Sequence, residues 1–84
     1  MALVHNRMKS IHSRRNAEFC ALIVSARRKA YLSQEELGRR LHITQSSVSK
    51  VERGERRLDV VEYLNWCEAI GVEPEKIIRQ IRKG

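Results

Sequence analysis

The sequence predicts an all-α fold of five short helices, and three observations lead to that prediction. Apolar residues recur along the chain at the i, i+3, i+4 and i+7 spacing of a helix. The 84 residues include one proline and four glycines, which argues against a turn-rich β fold. No segment of useful length alternates apolar and polar residues with period two. The chain is long enough for one small domain, and its four aromatic residues leave the core mainly to aliphatic side chains.

The first helix is predicted to run from an N-cap at Asn16 to about Ala30. Its buried stripe consists of Phe19, Leu22, Ile23 and Ala26. Cations in its last turn meet the negative end of the helix dipole, and these are Arg27, Arg28 and Lys29. The basic segment 1–15 allows two interpretations, an unfolded N-terminal arm or a short helix, so the domain itself is predicted over 16–84.

Two short helices joined by a tight turn are predicted next, over about 34–41 and 45–53. Their local signals are a capping box at Ser33 and Glu36, an N-cap at Thr44 and a glycine stop at Gly54. The inward-facing residues of the pair are predicted to be Leu37, Leu41, Val48 and Val51.

The C-terminal part of the chain predicts a fourth and a fifth helix. A second capping box, Asp59 with Glu62, opens the fourth helix, which Gly71 ends. Pro74 suits the first turn of the fifth helix. The apolar set of the fourth helix is Val60, Tyr63, Leu64, Cys67 and Ile70, and that of the fifth is Ile77, Ile78 and Ile81.

The net charge of +7 is distributed unevenly along the chain. Residues 1–32 carry seven Lys and Arg against one acid, and residues 33–58 carry six against four. Residues 59–84 carry four against five, a balance of −1. A basic surface backed by a neutral remainder indicates a polyanion-binding face joined to a packing or assembly face. The alternative is that the basic charge only promotes solubility.

Several classes of protein find no support in the sequence. Cys20 and Cys67 lie among apolar residues and are interpreted as buried hydrophobes, so neither a disulfide nor a zinc site is expected. No apolar run approaches a membrane span, and no secretory signal is recognisable, which makes a cytoplasmic location the expectation. No catalytic set, phosphate loop, metal cluster or cofactor motif is evident.

The chain resembles the lambda-repressor/Cro-like, or XRE, helix-turn-helix family over about residues 27–78. The segments that carry the resemblance are SQEELGRRL, ITQSSVSKVERG and LNWCEAIGV. Two positions depart from the family pattern. His42 stands in the turn where glycine is usual, and is expected to adopt a left-handed conformation there, while Leu58 replaces a proline before the fourth helix.

The resemblance implies a five-helix lambda-repressor-like DNA-binding domain whose helix 45–53 enters the major groove. Four outward residues of that helix are candidates for base reading, and the family pattern favours the first, second and fourth of them: Gln45, Ser46, Ser49 and Lys50. The alternative is that they form only the solvated face of a short helix.

Phosphate contacts are expected from residues that flank the same helix. The candidates are Gln34, Ser47, Arg53, Arg56 and Arg57. The resemblance also implies a structural role for Arg27 and Glu52, as a largely buried ion pair between the first and third helices.

Helix-turn-helix proteins commonly bind DNA as symmetric dimers, so a homodimer is expected here. Its apolar surface is predicted on the fifth helix at Ile77, Ile78 and Ile81, with Trp66 and Val72 as further candidates. The alternative is that all five residues complete the core of the monomer.

The main functional hypothesis is a sequence-specific transcription regulator that binds double-stranded DNA as a dimeric repressor. A second hypothesis is an antitoxin-type module that uses the same fold to bind a protein partner, with residues 1–15 as the dedicated segment. A third is RNA binding through the basic N-terminal face.

Overall fold

The computed structural model describes residues 13–83, which form five helices and no strand. The helices are α1 (Arg14–Lys29), α2 (Gln34–Leu41), α3 (Gln45–Glu52), α4 (Val60–Ile70) and α5 (Pro74–Lys83). The all-α prediction and the order of its five helices are confirmed.

The start of α1 differs from the prediction. Ser13, and not Asn16, is the N-cap, because its hydroxyl accepts a hydrogen bond from the Asn16 backbone N–H at 3.0 Å. Serine and asparagine cap helices about equally well, and the arginines at 14 and 15 extend the helix readily. Those two residues therefore belong to α1 and not to a preceding arm. The rest of the predicted arm, residues 1–12, lies outside the described residues.

The core lies between the inner faces of all five helices. Its most completely buried side chains are Ile23, Leu37, Val48, Val51 and Cys67, and around them pack Tyr63, Trp66, Ile70 and Ile77. The inner faces predicted for α2 and α3 are confirmed, with Leu41 half-buried. Both cysteines are buried and unbridged, as predicted.

Two residues of the apolar set identified for α4 do not face the core. Val60 is 74% exposed and Leu64 is also exposed, whereas Tyr63, Cys67 and Ile70 are buried. The apolar stripe of α4 is wider than the surface that its partners cover, because α2 and α5 are the helices packed most closely against it.

α2 and α3 pack closely at Gly38. A Cβ built at this position would lie 2.8 Å from the backbone oxygen of Ile43, so the absence of a side chain permits the approach. The Ile43 backbone N–H donates to the Gly38 carbonyl at 2.9 Å across the same turn. The glycine therefore helps set the angle at which α3 leaves the turn.

A buried ion pair joins α1 to α3. Arg27 donates from Nε to Glu52 Oε2 at 2.6 Å and from Nη2 to Oε1 at 3.0 Å, and the two side chains are only 9% and 5% exposed. A third guanidinium bond runs from Nη1 to the Leu32 carbonyl at 2.8 Å. This confirms the ion pair that the resemblance implied. It also fixes α3 against the body of the domain.

Four of the helices within 13–83 are followed by a residue with positive φ, but only two of these residues are glycines. Gly54 and Gly71 close α3 and α4 with φ of 78° and 89°, as predicted. His42 closes α2 with φ of 59°, which confirms the left-handed turn expected there. Tyr31 closes α1 with the same φ, which the sequence did not predict. Each non-glycine residue in this conformation costs about 1 kcal/mol relative to glycine.

The stripe on α5 is divided between core and surface. Ile77 is only 3% exposed and belongs to the monomer core, together with Trp66. Val72 and Ile81 pack partly against that core, whereas Ile78 is exposed. The prediction that Ile77 forms a dimer surface was therefore wrong, because this side chain faces the other helices. No helix in the described range 13–83 is long and apolar enough to cross a membrane.

Candidate nucleic-acid interface

The outward face of α3 carries the residues predicted to read bases. Gln45, Ser46 and Lys50 are exposed and Ser49 is half-buried, while Val48 and Val51 point into the core. Positions 45 and 49, and likewise positions 46 and 50, are about one turn apart, so the four residues form two adjacent rows on one side of the helix. The fold thus brings the four predicted base-reading residues together on one surface.

A chain of hydrogen bonds holds the first of these side chains in place. Gln45 Nε2 donates to Gln34 Oε1 at 2.8 Å, and Gln34 Nε2 donates to Glu52 Oε1 at 2.8 Å. Glu52 is itself held by Arg27. The Gln45 carboxamide is therefore oriented through three helices, and its Oε1 and second N–H stay available. An acceptor and a donor side by side are the groups that recognise adenine in the major groove.

Ser47 belongs to the N-cap of α3. The Thr44 hydroxyl accepts from the Ser47 backbone N–H at 3.0 Å and donates to the Ser47 side-chain oxygen at 3.0 Å. The Ser47 hydroxyl thus accepts one bond and keeps its own proton for a further acceptor. A phosphate oxygen at the N-terminus of α3 is an acceptor of the right charge.

Arg53, which follows α3, is engaged with its neighbours. Its Nη1 donates to Ser49 Oγ at 2.6 Å, and its Nε and Nη2 donate to the Glu55 carboxylate at 2.8 and 3.2 Å. The Arg53 bond lowers the pKa of Glu55 and raises the pKa of Arg53. Both side chains are more than half exposed, so solvent screens their attraction and the pair contributes little to stability. A phosphate can therefore displace the carboxylate at small cost.

The loop after α3 holds the remaining predicted phosphate contacts. Arg56 Nη2 pairs with Glu62 Oε2 at 2.7 Å, and the other Glu62 oxygen completes the capping box of α4. Arg57 is exposed in the same loop. Arg56 must exchange a carboxylate for a phosphate to bind DNA, as Arg53 must.

Two features of this region were not predicted from the sequence. Arg40 Nη1 donates to the Ala69 carbonyl at 2.8 Å, which joins α2 to the end of α4. Tyr31, just before α2, is 93% exposed in a left-handed conformation. The Tyr31 conformation could have been foreseen, because Tyr31 follows its helix as His42 follows α2. The Arg40 contact has no local signal in the sequence.

The described residues offer no metal centre. No group of three or more His, Cys, Asp or Glu side chains within 13–83 is placed to hold a metal ion.

Comparison with known proteins places this geometry in a family. A helix-turn-helix family model matches residues 23–77, which include α2, the turn and α3. The structure of an XRE-family like protein from Pseudomonas syringae pv. tomato str. DC3000 is 40% identical in sequence, with a TM-score of 0.81. That match covers 93% of this chain and 95% of the other. No curated protein matched the sequence. The chain therefore belongs to the XRE, or lambda-repressor-like, family of helix-turn-helix DNA-binding regulators.

Proposed function

We propose that the chain is a dimeric repressor that reads a short palindromic site in duplex DNA with α3. The observation that carries the proposal is the placement of Gln45, which is exposed at the start of α3 and oriented by Gln34 and Glu52. A solvated surface glutamine needs no such support. A base-reading glutamine does, because a bidentate contact with adenine requires a fixed carboxamide plane.

The other exposed residues of α3 complete the proposed reading surface. The Lys50 ammonium group makes no hydrogen bond to a residue within 13–83 and can donate to guanine O6 and N7. Ser46, beside Gln45, has a small hydroxyl that can donate or accept a hydrogen bond, so it can contact more than one kind of base. Ser49 contributes less directly, because its hydroxyl already accepts from Arg53.

The phosphate contacts proposed around α3 position the domain without selecting sequence. Gln34 and Ser47 lie at the N-terminal ends of α2 and α3, where helix dipoles favour an anion. The arginines on the other side are Arg53, Arg56 and Arg57. Repression follows from occupancy, since a bound domain blocks the groove to other proteins. The protein then acts where the DNA lies, in the cytoplasm.

The surface proposed for the dimer lies on α4 and α5 and is occupied by a second copy of the chain. Val60, Leu64 and Ile78 are exposed along one largely apolar groove, and Val61 is a further exposed apolar residue of α4. Residues 59–84 carry a balance of −1 in a chain of +7, so two copies repel each other less here than through the basic N-terminal part, and Glu75 lies in the groove with Arg79 and Arg82. To read a palindromic site, this pairing has to place the two α3 helices about one helical turn of DNA apart, ~34 Å.

Selection of binding sites from random duplex DNA tests the proposal. The expected result is an enriched palindromic site. Lys50→Ala should relax the preference at one position of each half-site, because it removes a base contact. Arg53→Ala should weaken binding to every sequence alike and reduce the salt dependence, because it removes a phosphate contact.

The same selection can reject the proposal. No enriched sequence would exclude site-specific DNA binding, and identical behaviour of the two variants would exclude the base-reading role of Lys50. Gel filtration over a range of concentrations tests the dimer. A protein that stays monomeric at all concentrations would exclude the proposed homodimer and would favour the antitoxin-type hypothesis, in which a different protein binds the chain.

A further inference from the structure

The end of α1 contains a tyrosine that the fold does not use. Tyr31 is 93% exposed, and its side chain makes no hydrogen bond to any described residue. Its φ of 59° lies in the left-handed region, which glycine adopts without strain. The bonds that close the helix, from Tyr31 N–H to the Arg28 carbonyl and from Leu32 N–H to the Arg27 carbonyl, require only the backbone.

Glycine would therefore serve the helix end better than tyrosine does. Gly54 and Gly71 hold the equivalent positions after α3 and α4. A large aromatic side chain in this conformation gains no burial that offsets the strain. Residues 13–83 therefore give the Tyr31 side chain no role, which leaves a contact beyond them.

The surroundings of Tyr31 show which kind of contact it fits. Arg28 and Lys29 are exposed beside it, and neither pairs with an acid in the described part of the chain. Tyr31, both basic residues and Arg53 line one open groove between the end of α1 and the end of α3. Arg53, by contrast, pairs with Glu55. The unpaired positive charge of this groove is thus concentrated at the end of α1.

We propose that Arg28, Lys29 and Tyr31 form a second phosphate-binding edge, which grips the DNA backbone beside the groove that α3 enters. The inference rests on the proposed function. Two cations and a phenolic O–H are phosphate-contacting groups, and the edge continues directly into Ser33 and Gln34 at the start of α2. DNA fits these three residues better than an acidic protein surface does, because they adjoin the N-terminal end of α2, where Gln34 is already proposed to contact a phosphate.

Variants of Tyr31 separate the proposed contact from the conformational strain. Tyr31→Phe removes only the hydroxyl, so Tm should stay unchanged while affinity for duplex DNA falls roughly threefold to tenfold. Tyr31→Gly removes the strain and the contact together, so Tm should rise by several degrees while affinity falls. His42→Gly is the matched control, because it relieves the same strain at a position outside the edge. It should raise Tm and leave affinity unchanged.

The two cations are tested through the salt dependence of binding. Arg28→Ala with Lys29→Ala should reduce the slope of log affinity against log salt by about 0.9 for each phosphate contact that the substitutions remove. Lys76→Ala with Lys83→Ala on α5 is the charge-matched control, and its slope should equal that of the unmodified protein. Binding should be followed by fluorescence anisotropy on the selected duplex and on a scrambled duplex, and both should weaken alike.

Each outcome bears on the edge or on the proposed function separately. If Tyr31→Phe and Tyr31→Gly bind as tightly as the unmodified protein, or if the double variant on α1 has the slope of the control on α5, the edge is excluded while α3 can still read its site. If the unmodified protein enriches no DNA sequence, the proposed function fails instead. A loss of affinity on the selected duplex alone would overturn the phosphate assignment, because a phosphate contact is indifferent to sequence.

Discussion

The two halves of this domain are held together by different forces. α1, α2 and α3 share the apolar core and are joined in addition by directional polar contacts, which run from Arg27 through Glu52 and Gln34 to Gln45. α4 and α5 pack mainly through apolar side chains, supported by a hydrogen bond from the Tyr63 hydroxyl to the Pro74 carbonyl at 2.7 Å. Hydrogen bonds fix orientation, whereas apolar contacts tolerate sliding and rotation.

The difference corresponds to what the proposed function requires of each half. Recognition of a base edge requires side chains held to within about half an ångström, which a polar network provides. The proposed dimer surface requires apolar area, and the α4–α5 half exposes Val60, Leu64 and Ile78 within a segment whose charges nearly cancel. Within 13–83, the strained helix ends at Tyr31 and His42 occur only beside α2, in the half with the polar network.

The largest effect is expected from breaking the buried ion pair between Arg27 and Glu52. Glu52→Ala leaves the Arg27 guanidinium buried without its carboxylate and removes an acceptor from Gln34, so the free energy of unfolding should fall by about 3–5 kcal/mol. Glu55→Ala is the matched control, because it breaks an exposed pair and should change the free energy of unfolding very little. Urea denaturation measures both variants. Equal stability of the two would contradict the structural importance of the buried pair.

A smaller effect is expected from placing a charge in the apolar half. Ile78→Glu should weaken the proposed dimer at least roughly tenfold without unfolding the monomer, because residue 78 is exposed and a buried unpaired carboxylate opposes association. Gln80→Glu adds the same charge at an exposed position of α5 outside the groove and should leave the dimer intact. Sedimentation at several concentrations distinguishes them. A dimer unaffected by Ile78→Glu would place the contact elsewhere.

Predictions from the sequence were correct for structural features that depend only on residues close together in the chain. The capping boxes at Ser33 and Asp59 were identified correctly, because each acts within one helical turn. Which side of an apolar stripe packs against the core depends on the rest of the fold. The sequence alone therefore could not show that Ile77 and Tyr63 are buried while Ile78 and Leu64 are exposed. These errors arise where an apolar stripe is wider than its partner.

The candidate site was predicted only in part for a similar reason. The outward residues of α3 follow from helix period and the buried Val48 and Val51. The hydrogen bond between Gln34 and Gln45 joins residues on two helices, and the pairing of Arg53 with Glu55 depends on how the chain leaves α3. Neither contact has a local signature, so both required the assembled structure.

Relief of the two strained helix ends should produce a gain of moderate size. Tyr31→Gly and His42→Gly should each raise the free energy of unfolding by about 1 kcal/mol, less a few tenths for the added freedom of the unfolded chain. Thermal denaturation should show a rise in Tm of about 4–8 °C per kcal/mol for a domain of this size. Because the two sites are separated by α2, the gains should add in the double variant. A decrease in Tm at either site would mean that the side chain supports the turn.

The smallest effect concerns the capping box of α2 and its dependence on pH. The Ser33 backbone and hydroxyl bonds lower the pKa of Glu36 below its ordinary value of 4.5. A carboxyl whose pKa is depressed in the folded state stabilises the fold above its unfolded pKa, and this contribution is lost as pH falls through the folded value. Tm should therefore decrease between about pH 5 and pH 3 more steeply for the unmodified protein than for Glu36→Gln. The amide of Glu36→Gln can still accept from the Ser33 N–H, so the variant keeps the cap and loses only its titration. If the two proteins gave parallel curves of Tm against pH over this range, the charge of Glu36, as distinct from its hydrogen bond, would contribute nothing to the stability of the capping box of α2.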